Sequence, residues 1–274
     1  MADPPRQAPQ EFVYENPPLR EVIVEYRWTL TSLKVVEGVR IDPFYPVVLQ
    51  NFTGEIAKAG FGVVESRVPD DAPIELFAHQ PTRMFRLKPN AWPIFQIGPG
   101  IFTANATPPY GGWSSFLPHV RSGLDHLFKI YPSEFLNPES ISLRYVNGFV
   151  ASHGMSSQAA FIRNGLRLVA PLPESIVRTA EGGGDNIIQT GRARINLTYL
   201  PGARGEIVWN TGRVKAEQAV ILELRMQTPA STMKSSEDVC STLNKSHELI
   251  SNWFEALISE DVRKHFGNRK EVQK

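Results

Sequence analysis

The residues best suited to chemistry in this sequence are arginines and glutamates that alternate along predicted strands. An arginine presents a planar fork of N–H donors that can hold a carboxylate or a phosphate through two parallel hydrogen bonds. Side chains two residues apart point to the same face of a strand. The pattern occurs at Glu25 and Arg27, at Arg144, at Arg192 and Arg194 with Asn196 and Thr198, and at Glu223, Arg225 and Gln227.

Two interpretations of these polar faces are open. If the faces align, the sheet presents guanidinium groups among carboxylates and can hold phosphate or an acidic protein surface. Alternatively, arginine and glutamate pair across strands on a solvated face, and each pair contributes only a few tenths of a kcal/mol. The sequence favours simple pairing, yet this face is the best binding candidate. Its predicted members are Glu25, Arg27, Arg144, Arg192, Arg194 and Arg225.

Trp113 is a further candidate for binding because it follows a turn-rich stretch, 108–112, that contains two prolines and two glycines. If it is exposed, it can anchor a partner, since tryptophan is enriched among the residues that dominate binding interfaces. If it instead packs the loop onto the sheet, it needs no function. The sequence favours packing.

The histidines and the single cysteine form no catalytic pattern. His119 and His126 are seven residues apart, about 10.5 Å along a helix and too far to chelate one ion. We predict that both, like His247 and His265, lie on solvated helix faces, and that Cys240 is a small, semi-buried residue. No nucleophile elbow, phosphate loop or dinucleotide fingerprint is present. The sequence thus predicts no catalytic residue, metal site or cofactor.

These candidates depend on elements that the hydrophobic periodicity predicts. The expected helices cover 43–60, 114–131, 158–168, 235–258 and 259–267. The expected strands cover 19–28, 63–68, 84–88, 92–97, 101–106, 141–149, 187–200, 206–214 and 219–228. Regular alternation of strand and helix, typical of a parallel sheet, is absent. We therefore predict an α+β fold with a mainly antiparallel sheet and long helices packed on one face.

Composition excludes several classes of protein. The chain of 274 residues carries 29 Lys+Arg against 28 Asp+Glu, a net charge of +1, so it lacks the basic balance of a general nucleic-acid binder. Its apolar runs are far shorter than the 18 or more residues of a transmembrane helix, so we expect no membrane partner. One cysteine excludes an intrachain disulfide and is typical of a reducing compartment, which predicts a cytoplasmic protein.

The predicted organisation has two halves. A flexible, proline-rich leader covers 1–16, a first α+β half 17–150, a second half 151–267 that ends in the C-terminal helix, and a flexible tail 268–274. Whether the halves are similar, and whether they share one sheet, is open. The helix at 236–258 carries apolar residues in steps of four and three. We expect this stripe to pack on the protein's own sheet, with homodimerisation as the alternative.

Several short segments together resemble a known family. They are Asn16–Leu19, Glu21–Val22, Glu25–Trp28, Phe85–Leu87, Phe95–Gly98 with Asn105, Tyr110 and Trp113, then Leu143–Asn147, His247–Phe254 and Ile258–Ser259. In order and spacing they resemble the sporadically distributed prokaryotic family of roughly 250-residue soluble proteins, for which no function is established. The similarity runs from about residue 16 to residue 266.

The resemblance supplies no catalytic residue. It implies a patchy occurrence among bacteria and archaea, which is typical of mobile accessory genes such as those of phage defence or toxin–antitoxin modules. We therefore expect a non-enzymatic binding or regulatory protein that acts through protein–protein contacts in such a system. A nucleic-acid-binding protein that uses the arginine-bearing face is the first alternative. An enzyme whose site is assembled from dispersed polar residues is the second.

Overall fold

The computed structural model describes residues 12–30, 35–36, 39–69, 71–168, 190–198 and 201–271. Single turns of 3-10 helix lie at Ile74–Phe77 and Ala151–His153, and a π turn at Phe161–Gly165. The regular elements are, in chain order, β1 (Phe12–Tyr14), β2 (Leu19–Trp28), β3 (Val35–Val36), β4 (Val39–Arg40), α1 (Tyr45–Lys58), β5 (Val63–Ser66), β6 (Arg83–Arg86), β7 (Ile94–Gly98), β8 (Ile101–Ala106), α2 (Trp113–Ile130), β9 (Pro138–Phe149), α3 (Gln158–Ala160), β10 (Gly191–Asn196), β11 (Arg204–Val214), β12 (Glu217–Pro229), α4 (Ser236–Leu257), α5 (Glu260–Lys264) and β13 (Arg269–Glu271).

Nine strands of the described chain form one antiparallel sheet in the order β10-β11-β12-β9-β2-β8-β7-β6-β5. The predicted α+β class, with a mainly antiparallel sheet, is confirmed. Both predicted halves contribute strands to this one sheet, since β12 of the second half pairs with β9 of the first, while β3 and β4 form a separate two-stranded sheet. The question that the sequence left open therefore has an answer: the halves share a sheet.

One face of the sheet, called here the inner face, is apolar and carries the helices. Along β2, Val22, Val24, Tyr26 and Trp28 are all fully buried, as the period of two predicts. Helix α4 packs on β12 and β9, and α2 packs on β8 between α1 and α4. The expectation of long helices on one face is confirmed.

Two helices, α4 and α5, begin after a serine cap at the predicted positions, whereas α1 begins at Tyr45, two residues after its predicted start. The Ser235 hydroxyl accepts a hydrogen bond from the Asp238 N–H at 3.2 Å, which caps α4. Ser259 caps α5 in the same way through the Val262 N–H at 3.3 Å. The stripe of α4, including Leu243 and Ile250, is buried in the main core, so packing on the protein's own sheet is what this helix does.

Helix α2 approaches the sheet closely at a glycine. A Cβ added at Gly123 would lie 2.5 Å from a ring carbon of Phe95 and 2.6 Å from one of Phe102. Side-chain carbon atoms do not approach this closely, so only glycine fits here without movement of β7 or β8. The residue sets the distance between α2 and the sheet.

The chain ends depart from the sequence prediction. Residues 12–16 and 268–271 were expected in a flexible leader and tail, but β1 and β13 pair with each other as a two-stranded sheet. The Arg269 guanidinium lies 4.0 Å from the centroid of the Phe12 ring, and Tyr14 packs edge-on against Phe266. These contacts join residues more than 250 positions apart, which a local pattern cannot predict. Residues 1–11 and 272–274 lie outside the described residues.

A second departure lies after β9. The predicted helix at 158–168 is an α-helix only over Gln158–Ala160 and continues as the π turn. The Gly182–Gly184 run lies outside the described residues, and so do both ends of the predicted strand at 187–200. The described part of that strand is β10, which covers Gly191–Asn196.

A candidate binding face on the sheet

The arginine-bearing faces of the predicted strands align. Opposed residues of an antiparallel pair share a face. Arg194 of β10 lies opposite Glu206 of β11, and Glu206 lies opposite Arg225 of β12. Arg225 in turn lies opposite Arg144 of β9. We call this surface, opposite to the inner face, the polar face and define it by the charged residues Glu21, Glu25, Arg27, Arg144, Arg192, Arg194, Arg204, Glu206, Glu223 and Arg225.

Three carboxylates of the polar face, those of Glu25, Glu206 and Glu223, are paired with its guanidinium groups. Glu25 lies 3.1 Å from Arg27 and 3.7 Å from Arg225, so one acid serves two cations. On neighbouring strands, Arg144 and Glu223 are 3.4 Å apart.

The outermost pair is Arg194 with Glu206, at 3.0 Å. Because these side chains are partly exposed, each isolated pair stabilises the fold by at most about 1 kcal/mol. The array therefore fixes the positions of the guanidinium groups more than it adds stability.

A small depression lies at the β10–β12 end of the polar face. Its volume is about 70 Å³, and it is lined by Arg194, Arg204, Glu206, Arg225 and Gln227. Within the described chain, the Arg204 guanidinium has no hydrogen-bond or ion-pair partner. Glu206 pairs with Arg194 and Glu25 reaches Arg225, so the lining of the depression keeps the positive charge of Arg204 in excess. The depression is the part of the face best suited to hold an anion.

Neutral polar side chains continue the polar face onto β8 and β7. The Asn105 amide donates a hydrogen bond to Glu21 at 2.8 Å, and the Thr103 hydroxyl donates one to Asn105 at 2.8 Å. Gln96 donates to Thr103 at 3.1 Å. These three neutral residues are 3–9% exposed. Buried polar groups in a fully bonded chain rigidify the sheet, so the positions of Glu21 and its neighbours are fixed.

Sequence reasoning missed two parts of this face. Arg204 and Glu206 lie at the start of β11, but the strand was expected to begin only at residue 206, after the Pro201–Gly202 turn. The buried chain through Asn105 was also missed, although Thr103 and Asn105 alternate with buried Phe102 and Ala104. That alternation is the signal that could have placed them on the polar face.

Trp113 lies apart from the other six candidates. Its side chain is 5% exposed at the start of α2, and its indole N–H donates to the Asn244 side chain at 2.7 Å. Its ring stacks on His247 of α4, with centroids 4.9 Å apart and planes at 12°. The residue therefore packs, as the sequence favoured, but it joins α2 to α4 and does not hold a loop on the sheet.

Two histidines correct the expectation of solvated helix faces. The His119 ring stacks on Phe95 with centroids 4.0 Å apart, and burial lowers the pKa of His119 to about 4. His247 is enclosed between Trp113 and Tyr145, with the Tyr145 hydroxyl 2.9 Å from its Nδ1, and burial also lowers its pKa to about 4. Both histidines therefore pack against side chains of the inner face, His119 against Phe95 of β7 and His247 against Tyr145 of β9. His265 is exposed as expected.

Cys240 is buried, and burial raises the pKa of its thiol. Thiolate is the reactive form of cysteine, and burial disfavours its formation here. This agrees with the predicted structural role. Over the described ranges, no group of three or more histidine, cysteine, aspartate and glutamate side chains is arranged to hold a metal ion.

Comparisons with known proteins add little to this geometry. Neither a protein-family model nor a curated protein matches the sequence. Among solved structures, the chain is similar to the di-domain ARO/CYC StfQ from the steffimycin biosynthetic pathway. That match has 10% sequence identity and a TM-score of 0.19, and it covers 66% of this chain and 74% of that chain. A score this low supports no conclusion about fold or function. No described helix is both long and apolar enough to cross a membrane.

Proposed function

We propose that the protein is a non-enzymatic binding or regulatory protein that acts in the cytoplasm through protein–protein contacts. Its binding surface is the polar face. The setting that we propose is a prokaryotic accessory system of the phage-defence or toxin–antitoxin kind. The setting rests on the family resemblance, whose patchy occurrence is typical of such modules, and the binding role rests on the sheet.

The observation that carries the binding role is the alignment of Arg194, Glu206, Arg225 and Arg144 in one row across four strands. A row of fixed side chains of both signs matches a protein surface that carries the opposite arrangement. Charge complementarity of this kind gives specificity and fast association more than it gives affinity. A rigid sheet loses little conformational entropy when it binds.

Nucleic acid is the second candidate, and one observation favours it. Within the described chain, Arg192 and Arg204 have no carboxylate partner, so both are free to contact phosphate. The glutamates of the face oppose this function, since Glu25 and Glu223 would repel a phosphate backbone. If nucleic acid is the ligand, binding should weaken steeply with salt and lose phosphate contacts in Arg192→Ala and Arg194→Ala. Absent or salt-independent binding in a gel-shift titration excludes it.

The test of the proposed function begins with the products of the genes that flank this one. Each is co-expressed with the full chain, and a product that copurifies is then isolated and titrated against the wild-type protein. We expect Arg225→Ala to weaken the complex about tenfold, the loss of one charge-assisted contact. Arg67→Ala is the matched control because Arg67 is exposed beyond β5, at the opposite end of the sheet.

Two results would contradict this function. The first is a complex whose affinity is equal for wild type, Arg225→Ala and Arg67→Ala, since the polar face would then play no part. The second is turnover of a nucleotide, nucleic acid or peptide by the purified protein that an alanine substitution on the polar face abolishes. That result would establish an enzyme instead.

A further inference from the structure

We infer that the depression lined by Arg194, Arg204 and Arg225 is a subsite for a single carboxylate side chain of the partner protein. This inference rests on the proposed function and names the chemical group that the polar face recognises. It depends on the charge, the size and the surroundings of the depression.

The charge of the depression comes from three neighbouring strands. Arg204 of β11 lies opposite Asn196 of β10 and Gln227 of β12, so its two neighbours in the sheet are neutral. Glu206 forms an ion pair with Arg194 at 3.0 Å, and the Arg225 guanidinium lies 3.7 Å from the Glu25 carboxylate. Arg204 is the guanidinium group of the depression that lacks a partner within the described chain. An incoming anion completes its pairing without breaking an existing ion pair.

The size and the lining of the depression suit a small anion. Its volume is about 70 Å³. A carboxylate and a single phosphate group are small anions that guanidinium groups hold through parallel hydrogen bonds. Gln227 adds an amide donor beside the guanidinium groups. The shared chemistry is therefore that of a small oxyanion.

The surroundings favour a carboxylate of a protein over the phosphates of a nucleic acid. Beyond the depression, the polar face carries Glu223 and Glu25, each paired with an arginine. A single-stranded nucleic acid bound at the depression would bring further phosphates over these acids and compete for their arginines. A protein segment can instead present one carboxylate flanked by neutral or basic residues. The mixed charge of the face fits that arrangement.

The experiment uses the full-length protein and the NMR signals of arginine Nε–Hε groups. The probe is a capped peptide of glycine and serine with one central glutamate, and its control has glutamine at that position. Inorganic phosphate and a short oligodeoxythymidylate are titrated separately. We expect the Arg204 and Arg225 signals to shift saturably with the glutamate peptide and not with the glutamine peptide.

Two variants make the result specific. In Arg204→Ala, followed through the Arg225 signal, the affinity for the glutamate peptide should fall about tenfold, as the loss of a charge-assisted contact predicts. In Arg67→Ala it should be unchanged. Equal affinity in both variants overturns the subsite, as does a lack of saturable shifts in the wild type. Tighter binding of phosphate or the oligonucleotide than of the glutamate peptide overturns the assignment to a protein carboxylate.

Failure of this inference is distinguishable from failure of the proposed function. If a partner complex is weakened by Arg225→Ala but the glutamate peptide gives no shifts, the polar face binds protein and the depression is not its carboxylate subsite. If the peptide binds saturably but no partner complex depends on the face, the subsite stands and the proposed function fails.

Discussion

Arg225 of β12 and Arg144 of β9 lie directly opposite each other in the sheet. Like charges at opposed positions repel each other and destabilise a strand pair. Each guanidinium reaches a carboxylate at another position, Arg144 to Glu223 at 3.4 Å and Arg225 to Glu25 at 3.7 Å. Glu223 and Glu25 therefore compensate the charges of two arginines that would otherwise repel each other where β9 pairs with β12.

Removal of one of these acids should destabilise the fold. The Glu25 side chain is 16% exposed and contacts both Arg27 and Arg225, so Glu25→Gln leaves two partly buried cations without their counter-charge. We expect the free energy of unfolding to fall by about 1–2 kcal/mol, measured by urea denaturation. The control Glu248→Gln, at an exposed position of α4, should change it by less than about 0.5 kcal/mol. Equal effects of the two substitutions would show that the network does not stabilise the sheet.

Two glycine substitutions should have opposite signs. Gly123→Ala places a Cβ 2.5 Å from the Phe95 ring, so we expect a loss of about 1–3 kcal/mol in the free energy of unfolding from overpacking. Gly54→Ala in α1 meets no atom within 4 Å, so it should raise that free energy by up to about 1 kcal/mol. Thermal or urea unfolding of both variants measures the difference. A stabilising Gly123→Ala would contradict the close approach of α2 to the sheet.

Acid should destabilise the protein through its buried histidines. Burial lowers the pKa of His119, His153 and His247 to about 4 each, whereas the unfolded chain binds these protons near pH 6.5. Because the unfolded state binds more protons over this interval, stability is full above about pH 6.5 and is lost as the pH falls toward 4. For each of these histidines, the free energy of unfolding should fall by about 2 kcal/mol between pH 7 and pH 5.

The pH dependence can be assigned to a single ring with one variant. His119→Phe keeps an aromatic ring against Phe95 and removes the titrating group. The loss of stability between pH 7 and pH 5, obtained from urea denaturation at each pH, should be about 2 kcal/mol smaller than in the wild type. An unchanged pH dependence in this variant would count against a buried, neutral His119.

The thiol of Cys240 should resist modification in the folded protein. Burial excludes a reagent and raises the pKa of the thiol. We expect slow reaction with a chromogenic disulfide reagent in buffer at neutral pH, and rapid, complete reaction in concentrated urea. Fast labelling of the native protein would instead show that α4 opens readily or that the thiol is accessible.

Much of the fold was predictable because it is determined by short-range patterns. The alternation of Val22, Val24, Tyr26 and Trp28 predicted β2 and its buried face, and the structure confirms both. The predicted helices at 235–258 and 259–267 start at Ser235 and Ser259, and in the structure both serine hydroxyls accept the hydrogen bond of a helix cap. The same alternation predicted which residues share the polar face within each strand.

The order of the strands was not predictable in the same way. No short-range sequence pattern predicts that β12 pairs with β9, and this pairing places Arg225 opposite Arg144. The burial of His119 depends on Phe95, which lies on a strand well before it in the chain. Likewise, the pairing of β1 with β13 joins opposite ends of the sequence. Long-range pairing is decided by the packing of whole elements, which single-sequence patterns do not record.

The strand order also has a consequence for the synthesis of the protein. Strand β9 ends at Phe149, but its partner β12 begins only at Glu217, so about 70 residues must be added before the pair can form. At about 5–20 residues per second, this takes several seconds on the ribosome. During that time we expect the edge of β9 that later pairs with β12 to keep free N–H and C=O groups. Unpaired strand edges are templates for aggregation, so we expect the nascent chain to aggregate most readily before its second half is complete.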